Sequence, residues 1–252
     1  MTMASHQGAD AVVAGNLANY DSEWSAREYS QHVGLWPIEA TLVDAYFPPA
    51  PARILDIGCG AGRTSAALHE RGYGVVAIDL AESLLSIGRA RHPGIDFCLM
   101  DARRLEYPDA AFDAALFSYN GIDNLYPEMS RLMCLREAAR VLKPGGVLIF
   151  STHNFIGHFF SGGFWYPRGY LNAARLIGQQ LTNPLALEWY TRYADGGGRQ
   201  HLFSAPPGRT ARQVQAAGFD VIDTCGSGGE RRARRLLLRT PHVNFVVRRR
   251  AS

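Results

Sequence analysis

The residues with the clearest capacity for chemistry stand in one short run, Ile54-Leu55-Asp56-Ile57-Gly58-Cys59-Gly60-Ala61-Gly62. An apolar stretch passes into a loop with glycine at every second position, so a buried strand should end where the backbone can approach a ligand with no Cβ in the way. The helix expected next would offer free N–H groups at its start. The spacing is not a nicotinamide-cofactor fingerprint, because the sixth position is Arg63 counted from Gly58 and Ser65 counted from Gly60. With no lysine in the run, a P-loop is excluded as well. Asp79 follows Asp56 by 23 residues and closes the next apolar stretch. A carboxylate there can accept hydrogen bonds from both hydroxyls of a ribose. Asp101-Ala102 closes the third stretch. Carboxylates at the carboxyl ends of successive strands mark the rim where open α/β sheets bind ligands.

A general base is harder to name. His153, at the end of the run Ser151-Thr152-His153-Asn154, is the best placed, with a structural or substrate-orienting histidine as the plainer alternative. Asn120 and Asp123, after the fourth apolar stretch, are alternative orienting groups. His158 and His201 show no ligand spacing along the chain, and no metal is expected. Cys59, Cys98, Cys134 and Cys225 lie far apart without a CxxC pair, which argues against a zinc knuckle or a disulfide framework.

Positioning such residues calls for a parallel sheet covered by helices. From Arg53 onward, short β-branched runs (54–58, 75–79, 96–100, 112–120 and 147–154) alternate with segments of helical period (64–71, 83–91 and 129–142). The last of these helices stops at Lys143-Pro144-Gly145-Gly146. A helix over 208–217 and strands over 220–226 and 242–249 follow. The expected fold is thus α/β, doubly wound, with a mostly parallel seven-stranded sheet, N-terminal helices and an inserted cap. The chain divides into a helical preface (1–49), a cofactor-binding core (50–154), a cap or substrate lid (155–207) and a C-terminal part that completes the sheet (208–252).

The cap is expected because more than fifty residues between sheet elements is too long for a simple connection. Its aromatics Phe159, Phe160, Phe164, Trp165, Tyr166, Tyr170, Trp189, Tyr190 and Tyr193 would form either a water-poor chamber for a small acceptor or a small core of their own. Arg168, Arg192 and Arg199 could meet an acidic substrate or simply be solvated.

At 252 residues and 47% hydrophobic composition, the chain suffices for one large domain. Its net charge of +3 is concentrated at one end, where residues 228–252 carry eight arginines against Glu230 alone. A nucleic-acid binder would spread such charge over a face, so nucleic acid is not expected as a partner. No run of eighteen apolar residues and no basic leader occurs, which suggests a cytoplasmic protein without a membrane partner. The sequence leaves the oligomeric state open, a homodimer included.

Together, Asp56, Gly58, Gly60 and Gly62 with Asp79 and Asp101 resemble the class I S-adenosylmethionine-dependent methyltransferases, small-molecule type, over roughly residues 50–154. The resemblance extends to Arg136–Gly146 and to the C-terminal strand pair. It implies S-adenosyl-L-methionine as cofactor and a Rossmann-like methyltransferase fold. The loop Gly58, Cys59, Gly60 and Gly62 would cradle the methionine part of the cofactor. Asp79 would hold the ribose and Leu80 would pack on the adenine, with Asp101 and Ala102 contacting its edge. Phe117 and Ser118 would face the transferring methyl, and Tyr20 would close over the cofactor from the N-terminal helices. The implied activity is methyl transfer to a small organic acceptor, at oxygen or nitrogen rather than carbon. The rival readings are aminopropyl transfer, a cofactor-assisted rearrangement, or a relative that binds without turnover.

Overall fold

In the computed structural model the described residues are 3–161, 189–195, 198–231 and 240–251, with isolated positions at 174, 177–178 and 181. Three helices, α1 (Met3–Tyr20), α2 (Glu23–Tyr29) and α3 (Pro37–Tyr46), precede the sheet. Then come β1 (Arg53–Ile57), α4 (Arg63–Glu70), β2 (Gly74–Asp79), α5 (Glu82–Arg91), β3 (Asp96–Leu99), β4 (Phe112–Phe117), a 3₁₀ turn (Gly121–Asn124), α6 (Glu128–Val141) and β5 (Leu142–His153). The chain continues through α7 (Phe155–Ser161), the hairpin β6 (Tyr190–Asp195) and β7 (Gly198–Phe203), α8 (Pro207–Ala216), β8 (Phe219–Gly226) and β9 (His242–Arg249).

The seven-stranded sheet runs β3-β2-β1-β4-β5-β9-β8, with β1 to β5 parallel, β9 antiparallel to β5 and β8 antiparallel to β9. The chain winds outward from β1 to β3 and then returns to β4 on the other side of β1. This reversal makes the ends of β1 and β4 the topological switch point, where open α/β sheets form a crevice. The sheet separates two cores. Alternate residues of β1 enter each: Leu55 and Ile57 pack with the α6 side, Ile54 with the α3, α4 and α5 side. Strands buried on both faces read as continuous apolar runs, which is why their positions were plain in the sequence.

Where the structure departs from expectation, local geometry gives the reason. The fourth strand ends at Phe117 instead of Asn120, because Tyr119 and Asn120 adopt left-handed φ values of 52° and 57° and turn the chain into the 3₁₀ turn. Within 155–207 the described residues form α7 and the hairpin. That hairpin is fastened to α1 by Asn16, whose amide donates to the His201 carbonyl (2.9 Å) and accepts from the His201 N–H (3.0 Å). Phe164, Trp165, Tyr166, Arg168 and Tyr170 lie outside the described residues, as do the side chains of Phe159, Phe160, Arg192, Tyr193 and Arg199 and the arginines between 232 and 239.

Candidate active site

A cavity of about 1300 Å³, with the open solvent at its mouth included, lies at the switch point. Its floor is the loop after β1, its sides are the ends of β2, β3 and β4, and its roof comes from α1, α2 and the approach to α3. The three glycines of the loop do different work. All have positive φ, at 65°, 55° and 90° for Gly58, Gly60 and Gly62. A Cβ at Gly58 would lie 2.6 Å from the Phe117 ring and one at Gly62 2.7 Å from the Phe97 ring, so both are closed in by the core. A Cβ at Gly60 would meet only Leu84, at 3.7 Å. Gly60 therefore leaves open the space beside the cavity that it lines.

Asp79 fixes this loop. Its Oδ2 accepts from the Gly60 N–H (2.8 Å) and its Oδ1 from the Ala81 N–H (2.9 Å). Burial pushes the carboxyl above its usual value, and these N–H groups pull it back. Asp56 acts behind the loop, fully buried and outside the cavity lining. Thr64 and Ser65 hydroxyls both donate to its Oδ2 at 2.6 Å, tying the start of α4 to β1. Desolvation raises its carboxyl to about 6 despite those bonds. At the far wall, Asp101 is gripped by Arg103, whose Nε lies 3.0 and 2.9 Å from its two oxygens and whose Nη2 donates at 2.6 Å. Half-burial raises the Asp101 carboxyl, but the Arg103 hydrogen bonds outweigh it and hold the group below the usual range.

Of the residues expected at the site, Tyr20, Gly58, Cys59, Gly60, Asp79, Leu80, Asp101, Ala102, Phe117 and Ser118 line this cavity. Gly62 opens α4 and Asp56 braces it, both behind the lining. The sequence reading missed Glu39. It is buried, accepts from the Trp36 N–H (2.8 Å) as the third residue of α3, and pairs with both arms of Arg63 at 2.7 and 2.9 Å. The Ser118 hydroxyl donates to Glu39 and accepts from Arg63 (2.7 Å), and the Arg63 guanidinium lies 4.5 Å over Trp36. The available signal was Pro37 followed by Glu39, a helix start with a capping carboxylate. The rest of the roof is aromatic, with Tyr20, Trp36 and Tyr119 ranged around Tyr29 and its neighbours.

His153, Asn120 and Asp123 are not in the cavity lining. Asn120 is the N-cap of the 3₁₀ turn after β4, its N–H donating to Ser151 Oγ (2.8 Å). Gly121 and Asn124 face the cavity from the 3₁₀ turn, whereas Asp123 between them faces the opposite way. There it accepts from Arg131 (2.6 Å), the Thr152 hydroxyl (2.6 Å) and the His153 N–H (2.7 Å), with His153 Nδ1 also at 2.7 Å. Asp123 and Arg131 are fully buried. His153 lies among His158 and His242, with ring centroids 5.5 and 4.9 Å away. Burial, and then the neighbouring His153, push His158 down to about 3 and His242 to about 4, so both rings are neutral near pH 7.

A glycine-loop cavity at the switch point of a Rossmann-like sheet, with a carboxylate at the end of β2, defines a nucleoside-cofactor α/β domain. Comparison with known proteins narrows the class. A family model described as a methyltransferase domain matches residues 54–146. A demethylmenaquinone methyltransferase of Clavibacter sepedonicus is 40% identical over 124 residues, covering 47% of this chain and 48% of its own. A malonyl-[acyl-carrier protein] O-methyltransferase of Serratia marcescens is 39% identical over 101 residues, 40% of this chain and 38% of its own. The chain thus spans about half the length of such curated relatives, or less. Among solved structures, a SAM-dependent methyltransferase of Methanosarcina mazei superposes with a TM-score of 0.65 at 19% identity, over 87% of this chain and all of that one, and shows the fold. This chain carries a class I S-adenosylmethionine-dependent methyltransferase domain, and S-adenosylmethionine is the cofactor of that class. The residues present fit it: Gly60 leaves a cradle that a side chain would fill, and Asp79 stands beside it. No described helix is long and apolar enough to cross a membrane.

Proposed function

We propose that this protein methylates a small, largely apolar organic acceptor, at oxygen or nitrogen in preference to carbon. The observation that carries the reading is a single cavity whose one half is the glycine loop with its strand-end carboxylates and whose other half is aromatic. Gly58, Cys59 and Gly60 would receive the methionine end of the cofactor against bare backbone, and Asp79 would take the ribose hydroxyls. Leu80 and Ala102 would sandwich the base beside Asp101, while Phe117 and Ser118 would border the reacting end under Tyr20. When bound, the cofactor supplies an electrophilic sulfonium methyl, so the chain has to orient two partners and exclude water. Orientation alone is worth about 7–11 kcal/mol of barrier. The Glu39–Arg63–Ser118 network would hold the wall next to the reacting end rigid without moving a proton itself. Since His153 lies outside the lining, no base role is assigned to it. The relatives' names give two different acceptors, demethylmenaquinone and malonyl-[acyl-carrier protein], while the domain match is confined to residues 54–146. That supports an acceptor chosen by the flanking helices and the 155–207 region.

The test is a screen of hydroxyl- and amine-bearing apolar acceptors with methyl-labelled cofactor, after mass spectrometry of whatever co-purifies. Label should pass to at least one acceptor, with S-adenosylhomocysteine formed in equal amount. Product without transferred label would replace the reading with cofactor-assisted chemistry.

A further inference from the structure

On the far side of the 3₁₀ turn from the cavity, three histidines widely separated in sequence are drawn to one point by separate constraints. His153 ends β5 and His242 begins β9, and the antiparallel register sets them directly opposite each other. Opposed residues of an antiparallel pair project from the same face with Cβ atoms about 4.5–5.5 Å apart. His158 arrives from α7, which packs so closely on the residues leading into β9 that a Cβ at Gly157 would lie 2.0 Å from the Thr240 carbonyl oxygen. Asn154 locks the same joint, its N–H bonding Pro241 (2.7 Å) and its amide donating to Thr240 (2.9 Å).

The outcome is a set of imidazole nitrogens that all lie within 4.8 Å of one another. We propose that His153, His158 and His242 form a tris-imidazole site for a divalent transition metal, zinc foremost. Zinc bound by histidine has Zn–N of about 2.0–2.1 Å, which puts tetrahedral ligand atoms about 3.4 Å apart, within reach of small ring rotations from the observed spacing. The support for one ligand is already in place. Asp123 engages His153 Nδ1 at 2.7 Å, and histidine ligands of metals almost always have such a carboxylate or carbonyl behind the ring nitrogen that does not bind the ion. Asp123 is itself held by Arg131 and Thr152, so the ring orientation is fixed before any ion arrives. Three imidazoles without a carboxylate ligand favour zinc or a neighbouring transition ion over magnesium or calcium, and leave a fourth position for water or an oxygen ligand. Spacing along the chain gave no hint of this set, because positions 153, 158 and 242 converge only through the β5–β9 register and α7.

The experiment is calorimetric titration of the full chain, stripped by chelation and then titrated with Zn²⁺, alongside Co²⁺ loading followed by visible absorption. One Zn²⁺ per chain should bind with micromolar or tighter affinity, and Co²⁺ should give the intense bands of a four-coordinate, nitrogen-ligated ion. His158→Ala and His242→Ala should each weaken binding on the order of 100-fold, while His69→Ala, a surface change, should leave it unaltered. These two variants are decisive because neither ring contacts the buried Asp123–Arg131 pair in the way that His153 does. Circular dichroism confirms that each variant is folded. Absence of stoichiometric binding by the folded chain, or binding untouched by His158→Ala and His242→Ala, would overturn the site.

Discussion

The rim around the glycine loop and the corner around His153 lie on either side of one 3₁₀ turn, yet they are assembled in opposite ways. In the glycine loop itself, bonds join residues close in sequence, Asp56 to Thr64 and Ser65 and Asp79 to Gly60 and Ala81, while the wall beside it is joined at longer range through Glu39, Arg63 and Ser118. At the corner, Asp123 reaches His153 thirty positions away, and Asn154 reaches Thr240 eighty-six positions away. The loop's carboxylates are met by backbone N–H groups and short hydroxyls, whereas the corner holds an ion pair with no exposure at either side chain. Local construction leaves a surface that a ligand can complete. Long-range construction makes the corner part of the fold's own stability.

Substitutions can break this contrast, and the largest effect belongs to the corner. Asp123→Ala leaves Arg131 charged and unpaired among buried residues, and losing one member of such a pair costs about 3–5 kcal/mol. Urea unfolding should report that loss, and a change below about 1 kcal/mol would mean the pair does not carry the corner. At the rim, Gly62→Ala combines left-handed strain of about 1–2 kcal/mol with overpacking against Phe97, for a total of about 2–5 kcal/mol. Gly60→Ala should show the strain alone in unfolding while lowering affinity for S-adenosylhomocysteine; equal stability losses for the two would erase the distinction drawn between them. The smallest effect is the most local. Asp79→Ala should weaken cofactor binding by about 1.5–3 kcal/mol, the value of a charge-assisted hydrogen bond. Calorimetry showing unchanged affinity would remove Asp79 from the cofactor site.

The rim was legible because its constraints are short in sequence and chemically narrow. Left-handed backbone calls for glycine at 58, 60 and 62, and a doubly buried strand calls for the run Ile54–Ile57. Glu39 was not read as part of the site, although Pro37 and Glu39 announced its helix start, since nothing local shows that α3 delivers that carboxylate to Arg63. Likewise the run 112–120 was read as one strand through Tyr119 and Asn120; Tyr119 suits a strand, whereas Asn120, disfavoured in strands and tolerant of left-handed backbone, was the local sign of the turn that follows Phe117.

By itself, then, the sequence determined the order of the seven main-sheet strands and of the helices between them, the glycine loop and the strand-end acids, since each follows from periodicity or from a conformation that few residues tolerate. Tertiary structure alone decided which face of the 3₁₀ turn Asp123 would take, that Arg63 and Glu39 would meet Ser118, and that His153, His158 and His242 would share one corner. Those outcomes depend on the register of β5 against β9 and on the close seat of α7 at Gly157, and register is fixed by burial across the whole sheet, which no short window of sequence contains.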